Sequence, residues 1–252
     1  MSLFDLTGKK ALVTGGSRGI GRGLAEALLE AGAEVVISGV SERVFVTAEE
    51  LTAATGSKAV PIQADLAERA EIDRLFAESL ERLGTVDIVV ANHGIQRRHP
   101  AHEFPAETMD EVIDVNLKSV FLLNQLAARH MLAKGYGRIV NIASMMSYAG
   151  GLFVPAYTAS KGGITQMVKS FSNEWAKHGV TVNAIAPGYI ITDMTEALIN
   201  NPERYIPILE RIPAERWGTP DDLKGVMVFL ASDAASFVSG ITIPVDGGWL
   251  SR

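Results

Sequence analysis

Short apolar, β-branched runs alternate along this chain with longer stretches in which apolar residues recur at helical spacing. The runs Lys10–Thr14, Glu34–Ser38, Ala59–Gln63, Val86–Ala91, Gly137–Ala143, Val180–Ala186 and Ile241–Pro244 predict strands. Helices are predicted over Ile20–Ala31, Ala48–Ala54, Arg69–Leu83, Met109–Lys134, Tyr157–His178 and Asp221–Ala231. Strands that alternate with helices require right-handed crossovers, and so make a parallel sheet covered on both faces. The runs are nearly continuous in apolar residues, as strands buried from two sides must be. No repeat, charge block or Pro/Gly/Ser-rich linker divides the 252 residues, so residues 1–252 predict a single α/β domain. Its core is a doubly wound parallel sheet of about seven strands with helices on both faces. Residues 192–220 stand apart: prolines at 202, 207, 213 and 220 predict short helices outside the sheet, forming a lid over the site.

The first predicted strand runs directly into Thr14-Gly15-Gly16-Ser17-Arg18-Gly19-Ile20-Gly21 and a helix. Glycines at 15, 19 and 21 permit a tight turn, close approach of a pyrophosphate and close packing of helix on strand. The helix that follows offers unpaired N–H groups to phosphates. Three residues separate the first two glycines, so the spacing departs from G-x-G-x-x-G, and no Gly-Lys-Ser/Thr follows to make a P-loop. Its place between the first strand and the first helix points to a dinucleotide. Later strand ends add Asp65 and Leu66, which would receive the adenine amino group, and Asn92, His93 and Gly94, which would line the ribose side. Each of these also serves as an ordinary loop cap, and His93 as a packed loop histidine.

Tyr157 and Lys161 lie one helical turn apart and share a face. A phenol with an ordinary pKa near 10 is a poor base at neutral pH, and an adjacent ammonium is expected to lower it. Ser144 ends the fifth predicted strand and would donate to a substrate oxygen as charge develops there.

Taken together, Thr14-Gly15-x-x-x-Gly19-x-Gly21, Asn92-x-Gly94, Asn116 within Asp114-Val115-Asn116-Leu117, Ser144, Tyr157-x-x-x-Lys161 and Pro187-Gly188 resemble the short-chain dehydrogenase/reductases along essentially the whole chain. The resemblance implies a Rossmann-like fold and hydride transfer between a nicotinamide dinucleotide and a secondary alcohol or ketone. It implies Tyr157 as general acid/base and Ser144 as the group polarising the substrate oxygen. Lys161 would bind the nicotinamide ribose, and Asn116 would hold a water leading from the lysine to solvent. Gly15, Ser17, Arg18, Gly19, Ile20 and Gly21 would cradle the pyrophosphate, and Pro187, Gly188, Ile190 and Thr192 would flank the nicotinamide. The chain departs from the family's frequent Asn-Asn-Ala-Gly by reading Ala91-Asn92-His93-Gly94.

The end of the second strand, Ser38-Gly39-Val40-Ser41-Glu42-Arg43, places neither acid nor base at Gly39. Glu42 would reach a ribose diol, whereas Arg18 or Arg43 would pair with a 2′-phosphate. The balance tips slightly to NAD over NADP. Arg97 and Arg98, just past the fourth strand, would clamp a carboxylate, or else are solvated loop charges. Met146, with Ser144 and Tyr157, belongs to the predicted substrate pocket. The second half of the chain is similar to the sugar-acid branch of the family, in Asn173-Glu174-Trp175-Ala176-Lys177-His178, Arg211-Ile212-Pro213-Ala214-x-Arg216-Trp217-Gly218 and Val245-Asp246-Gly247-Gly248-Trp249-Leu250. That similarity implies a deoxy keto-sugar acid. A 3-oxoacyl thioester, steroid or neutral polyol reductase stays open, with Met145, Met146, Phe153 and Trp217 lining an apolar pocket. So does a dinucleotide-sensing scaffold without catalysis, against which the intact Ser144, Tyr157 and Lys161 weigh.

Composition narrows the setting. A chain without cysteine has neither disulfides nor thiolate chemistry, and its net charge of −6 argues against a nucleic-acid partner. The first ten residues carry no signal peptide and no apolar run spans a bilayer, so a cytoplasmic protein without membrane or metal is expected. The family resemblance adds a homotetramer, built through the two long helices near 109–134 and 157–178 and the carboxyl-terminal region.

Overall fold

In the computed structural model, which describes residues 3–252, seven strands form one parallel sheet in the order β3-β2-β1-β4-β5-β6-β7. The strands are β1 (Lys10–Val13), β2 (Glu34–Gly39), β3 (Ala59–Gln63), β4 (Ile88–Ala91), β5 (Gly137–Ile142), β6 (Val180–Pro187) and β7 (Thr242–Val245). Because side chains alternate along a strand, each strand feeds two cores. Ala11 and Val13 of β1, Val35 and Ile37 of β2, and Ile88 and Val90 of β4 meet helices α1 (Gly19–Glu30), α2 (Arg43–Thr55) and α9 (Lys224–Ala231). Leu12, Val36 and Val89 point the other way, to α3 (Arg69–Leu83), α5 (Ser119–Lys134) and α6 (Pro155–Trp175). Leu24, Leu28 and Leu123 are fully buried in these layers, each stabilising the fold by about 1.5–3 kcal/mol. Among the described residues no helix is long and apolar enough to cross a membrane.

Two helices depart from the sequence expectation in ways that matter. The stretch expected as one helix over Met109–Lys134 is α4 (Ala106–Ile113), a π-helical turn over Asp114–Lys118, and α5. Helix α2 begins at Arg43, five residues before the expected Ala48, because its first turn carries exposed Phe45 and Val46 that break the amphipathic pattern. At the other end of the molecule, α7 (Glu196–Ile199) and α8 (Pro202–Arg211) lie outside the sheet. They pack through a third apolar cluster, Leu198, Ile208, Ile212, Trp217 and Trp249, against Met145, Met146 and the ring of Tyr157. The sheet's carboxyl edge is thereby roofed.

Candidate active site

Strand order reverses between β1 and β4, which opens a crevice at their carboxyl ends. The loop after β1 turns at Gly15, whose φ of +61° favours glycine, and enters α1 at Gly19. At Gly21 a side chain has no room: a Cβ there would lie 2.1 Å from the Gly15 carbonyl oxygen and 2.4 Å from Asn92 Nδ2. No side chain caps the start of α1, so its first N–H groups face the crevice. A backbone cradle at a bare helix N-terminus fits a pyrophosphate. Gly21→Ala is therefore expected to push the loop off Asn92, weakening NADH binding at least about tenfold and costing about 1–3 kcal/mol of stability. Fluorescence titration and thermal melts check this; an unchanged Kd and Tm would refute the cradle.

Asn92 anchors the glycine loop. Its Nδ2 donates to the carbonyls of Thr14 and Gly15 (both 3.1 Å), and its backbone N–H donates to Thr14 Oγ1 (3.0 Å), so it pins the loop to β4. Asp65 caps its own turn, its Oδ1 accepting from the Ala67 N–H at 3.0 Å, and Leu66 is buried. Glu42 is exposed at the start of α2. Arg18 pairs with Asp193 at 3.1 Å, a solvated contact between the loop and the start of the lid that contributes at most about 1 kcal/mol. Thr192 lies against α1, within 3.3 Å of where a Gly19 Cβ would stand. Pro187 ends β6, Gly188 donates to the Val245 carbonyl, and Ile190 is buried beside Gly218.

Four side chains converge beside this loop. Pro155 at the first position of α6 fixes where that helix starts and so puts Tyr157 in its first turn, at the sheet edge. Lys161 follows on the same face, buried, its Nζ donating to the Ile142 carbonyl at 2.6 Å and standing 5.7 Å from the Tyr157 ring centre. Ser144 lies just past β5 in extended conformation, its Oγ accepting from the Met146 N–H at 3.1 Å. The π-helical turn carries Asn116, whose Oδ1 accepts from the Ile95 N–H (2.8 Å) while Nδ2 donates to the Ile95 carbonyl (2.9 Å) and to Ser160 Oγ (3.3 Å). The extra residue of a π turn re-aims one side chain, and such turns gather at functional sites. Gly94 is at the hub: a Cβ there would meet Asn116 Oδ1 at 3.1 Å and Lys161 Nζ at 3.8 Å.

Burial dominates the electrostatics. It depresses Lys161 to about 8. It pushes the Tyr157 phenol above its ordinary value, and the Ser144 hydroxyl pulls it only partly back. This net direction is opposite to the one expected from the Tyr-x-x-x-Lys spacing, because desolvation of the phenolate outweighs the hydrogen bond from Ser144. His93, whose role was open, is structural wiring. Its Nδ1 lies 2.7 Å from Thr14 Oγ1 and its Nε2 lies 2.6 Å from Ser119 Oγ. Ser119 already donates to the Val115 carbonyl, so Nε2 carries the proton. Burial and the nearby Lys161 charge lower His93 to about 3, which keeps it neutral, a bridge from the glycine loop to the π turn.

The two arginines past β4 diverge. Arg97 is held by Glu111 of α4, Nε to Oε2 at 3.0 Å, whereas Arg98 donates to Gln96 Oε1 at 3.1 Å and stays clear of carboxylates. Met146 is buried in the cluster that also holds Leu198, Ile208 and Trp217. Sequence reasoning overlooked Tyr189, whose ring lies 5.1 Å from Trp217 and 6.2 Å from Trp249, and Tyr205 of α8, stacked on Trp217 at 5.5 Å. It also overlooked Arg204. The prolines of 192–220 point to short helices over the site but single out none of these side chains.

Residues 15–250 match the family described as enoyl-(acyl carrier protein) reductase. With the crevice, the glycine loop and the Ser144, Tyr157 and Lys161 grouping, the chain belongs to the short-chain dehydrogenase/reductases, NAD(P)-dependent oxidoreductases acting on CH–OH groups. It is 47% identical to the 2-dehydro-3-deoxy-D-gluconate 5-dehydrogenase of Escherichia coli, over 100% of this chain and 99% of that protein. The Bacillus subtilis protein of the same name is also 47% identical, over 99% of this chain and 97% of its own. A gluconate 5-dehydrogenase from Burkholderia cenocepacia, solved in complex with NADP and tartrate, superposes with a TM-score of 0.94 at 40% identity, covering 99% of this chain and 98% of that one.

Proposed function

We propose that the chain oxidises and reduces a sugar acid of the 2-dehydro-3-deoxy-D-gluconate or 2-deoxy-D-gluconate type at a secondary hydroxyl or ketone. The observation that supports it most is a tetrad, Asn116, Ser144, Tyr157 and Lys161, beside a loop after β4 whose Arg98 has no carboxylate partner. Relatives named for sugar-acid dehydrogenation align end to end with this chain.

When bound, NAD or NADP supplies the hydride acceptor or donor. Tyr157 Oη gives its proton to the substrate oxygen in reduction and removes it in oxidation. Ser144 donates to the same oxygen and stabilises the charge that builds there. Lys161, held by the Ile142 carbonyl, presents its remaining protons towards the ribose side, and Asn116 braces the Ile95 backbone beside it. The lid, residues 192–220, excludes water from this proton transfer. Arg98 receives the substrate carboxylate; Arg97, engaged by Glu111, supports the loop. Of the two dinucleotides, NAD is kept on the carboxylate of Glu42, although the related Burkholderia structure holds NADP.

Turnover on a panel of keto-sugar acids and their neutral polyol counterparts, with NADH and NADPH in parallel, tests the reading. The acids are expected to be preferred by about 10-fold or more in kcat/KM, the worth of one charge-assisted contact. Equal rates on neutral ketones would refute it.

The working unit we propose is a homotetramer. Exposed Phe121 with Leu117, Leu122 and Met167 makes an apolar strip across the π turn, α5 and α6 suited to a second copy.

A further inference from the structure

Arg98 in the loop after β4 and Arg204 and Arg211 of helix α8 bring three guanidinium groups around Tyr189. Arg204 stands in the first turn of α8, where its N–H and that of Tyr205 both donate to the Asn201 carbonyl. Tyr205 is stacked on Trp217, and Trp217 packs on Tyr189, so the backbone carrying Arg204 is fixed by an aromatic column. The charges of Arg204, Arg98 and Arg211 all act on the Tyr189 hydroxyl, and Arg98 and Arg204 act on each other. Burial is the main cause that lowers the pKa of Arg98, and the Arg204 charge adds to it as a nearby like charge does.

Arg211 has a partner, since its guanidinium lies 3.6 Å over the Trp249 ring. Arg98 donates only to the uncharged Gln96 side chain. Among the described residues neither Arg98 nor Arg204 has a carboxylate within ion-pair distance, although most guanidinium groups in this chain that border the site do: Arg18 has Asp193, Arg97 has Glu111 and Arg216 has Asp222. The aromatic column next to Arg204 holds a further unfilled bond. Trp217 is 4% exposed, yet its indole N–H has no acceptor. A buried donor left unpaired costs about 1–3 kcal/mol, so it is retained where something else supplies the acceptor.

We infer that Arg204 of the lid helix and Arg98 of the loop after β4 form a two-sided clamp for the substrate carboxylate, with the Trp217 N–H as a third donor to the bound acid. Two guanidinium groups facing one site repel each other when it is empty and are relieved by an anion between them. One half of the clamp belongs to the sheet edge and the other to the roof. The carboxylate therefore sets the distance between lid and sheet, and with it the position of the reacting carbon under Tyr157. Arg204 becomes a specificity-determining residue that acts on acids and leaves neutral ketones untouched.

This rests on the sugar-acid reading of the site. The test is steady-state turnover of wild type, Arg204→Gln, Arg204→Lys and Trp217→Phe on a keto-sugar acid and on its analogue with a primary alcohol in place of the carboxylate. NADH titration of each variant confirms an intact cofactor crevice. Arg204→Gln is expected to raise KM for the acid about 10- to 100-fold, the worth of a charged hydrogen bond, and to change the neutral analogue less than about twofold. Arg204→Lys should recover part of the loss, since it keeps charge without the planar fork. Trp217→Phe should raise KM for the acid alone by a smaller factor. Equal effects of Arg204→Gln on both substrates, or none on the acid, would overturn the clamp while leaving the enzyme a sugar-acid dehydrogenase. A wild type indifferent to the carboxylate would instead overturn the underlying reading.

Discussion

Tyr157→Phe is expected to cut turnover in both directions by roughly 10²–10⁴-fold while NADH still binds within about twofold of wild type. The variant removes one oxygen from a ring that is otherwise held by the lid cluster, so packing is conserved. What is lost, on the proposed mechanism, is the group that moves a proton at the substrate oxygen, next to Ser144. No other titratable side chain can take over: Lys161 donates to the Ile142 carbonyl, and His93 is neutral and bonded at both nitrogens. Rates from nicotinamide absorbance, paired with fluorescence titration of NADH, check the prediction. A phenylalanine variant with wild-type kcat would remove the basis for the enzymatic mechanism.

Lys161→Met is expected to give a protein that is more stable and nearly inactive. Burial lowers the folded-state pKa of Lys161 from 10.5 to about 8. Below pH 8 the folded chain therefore carries a buried ammonium at full cost, on the order of 3 kcal/mol, partly offset by about 1 kcal/mol from the bond to Ile142. Methionine fills similar space without the charge. The melting temperature should rise by roughly 4–8 °C at pH 7. The sign of the pH dependence follows from proton binding: between pH 8 and 10.5 the unfolded chain holds a proton that the folded chain has released. Wild-type stability thus rises with pH across that window, relative to the variant, and the gap should close. Calorimetric melts of both proteins from pH 7 to 10 measure it. A variant that melts lower than wild type at pH 7 would show that the lysine is a net stabiliser, and that its burial carries no such cost. Stability given up at a working residue is the usual trade in an active site.

Which parts of this were readable beforehand depends on the range of the interactions. Glu34–Gly39 and Val180–Pro187 announce themselves because a strand buried on both sides must be apolar throughout, whatever it packs against. The helix over Arg69–Leu83 is equally plain, its apolar residues recurring each turn and its end marked by Gly84 in left-handed conformation. The π turn at Asp114–Lys118 was invisible: one inserted residue shifts a hydrophobic pattern by less than its ordinary scatter. Arg97 and Arg98 looked like one clamp because they are neighbours in the chain. In an irregular segment, successive side chains need not share a direction, and Glu111, fourteen residues on, decided which of the two is free.

By itself the sequence determined the doubly wound sheet, the glycine turn into the first helix, and the Ser144, Tyr157 and Lys161 grouping. Periodicity, turn chemistry and helical spacing are local, and each shows in the residues that produce it. Only the tertiary structure decided that Asn92 secures the glycine loop, that burial raises the Tyr157 phenol against the pull of Ser144, and that the Arg204 charge acts on Arg98. Those outcomes depend on burial and on groups brought together from distant parts of the chain. Desolvation and charge–charge energies are properties of that assembled environment, and no single segment contains them.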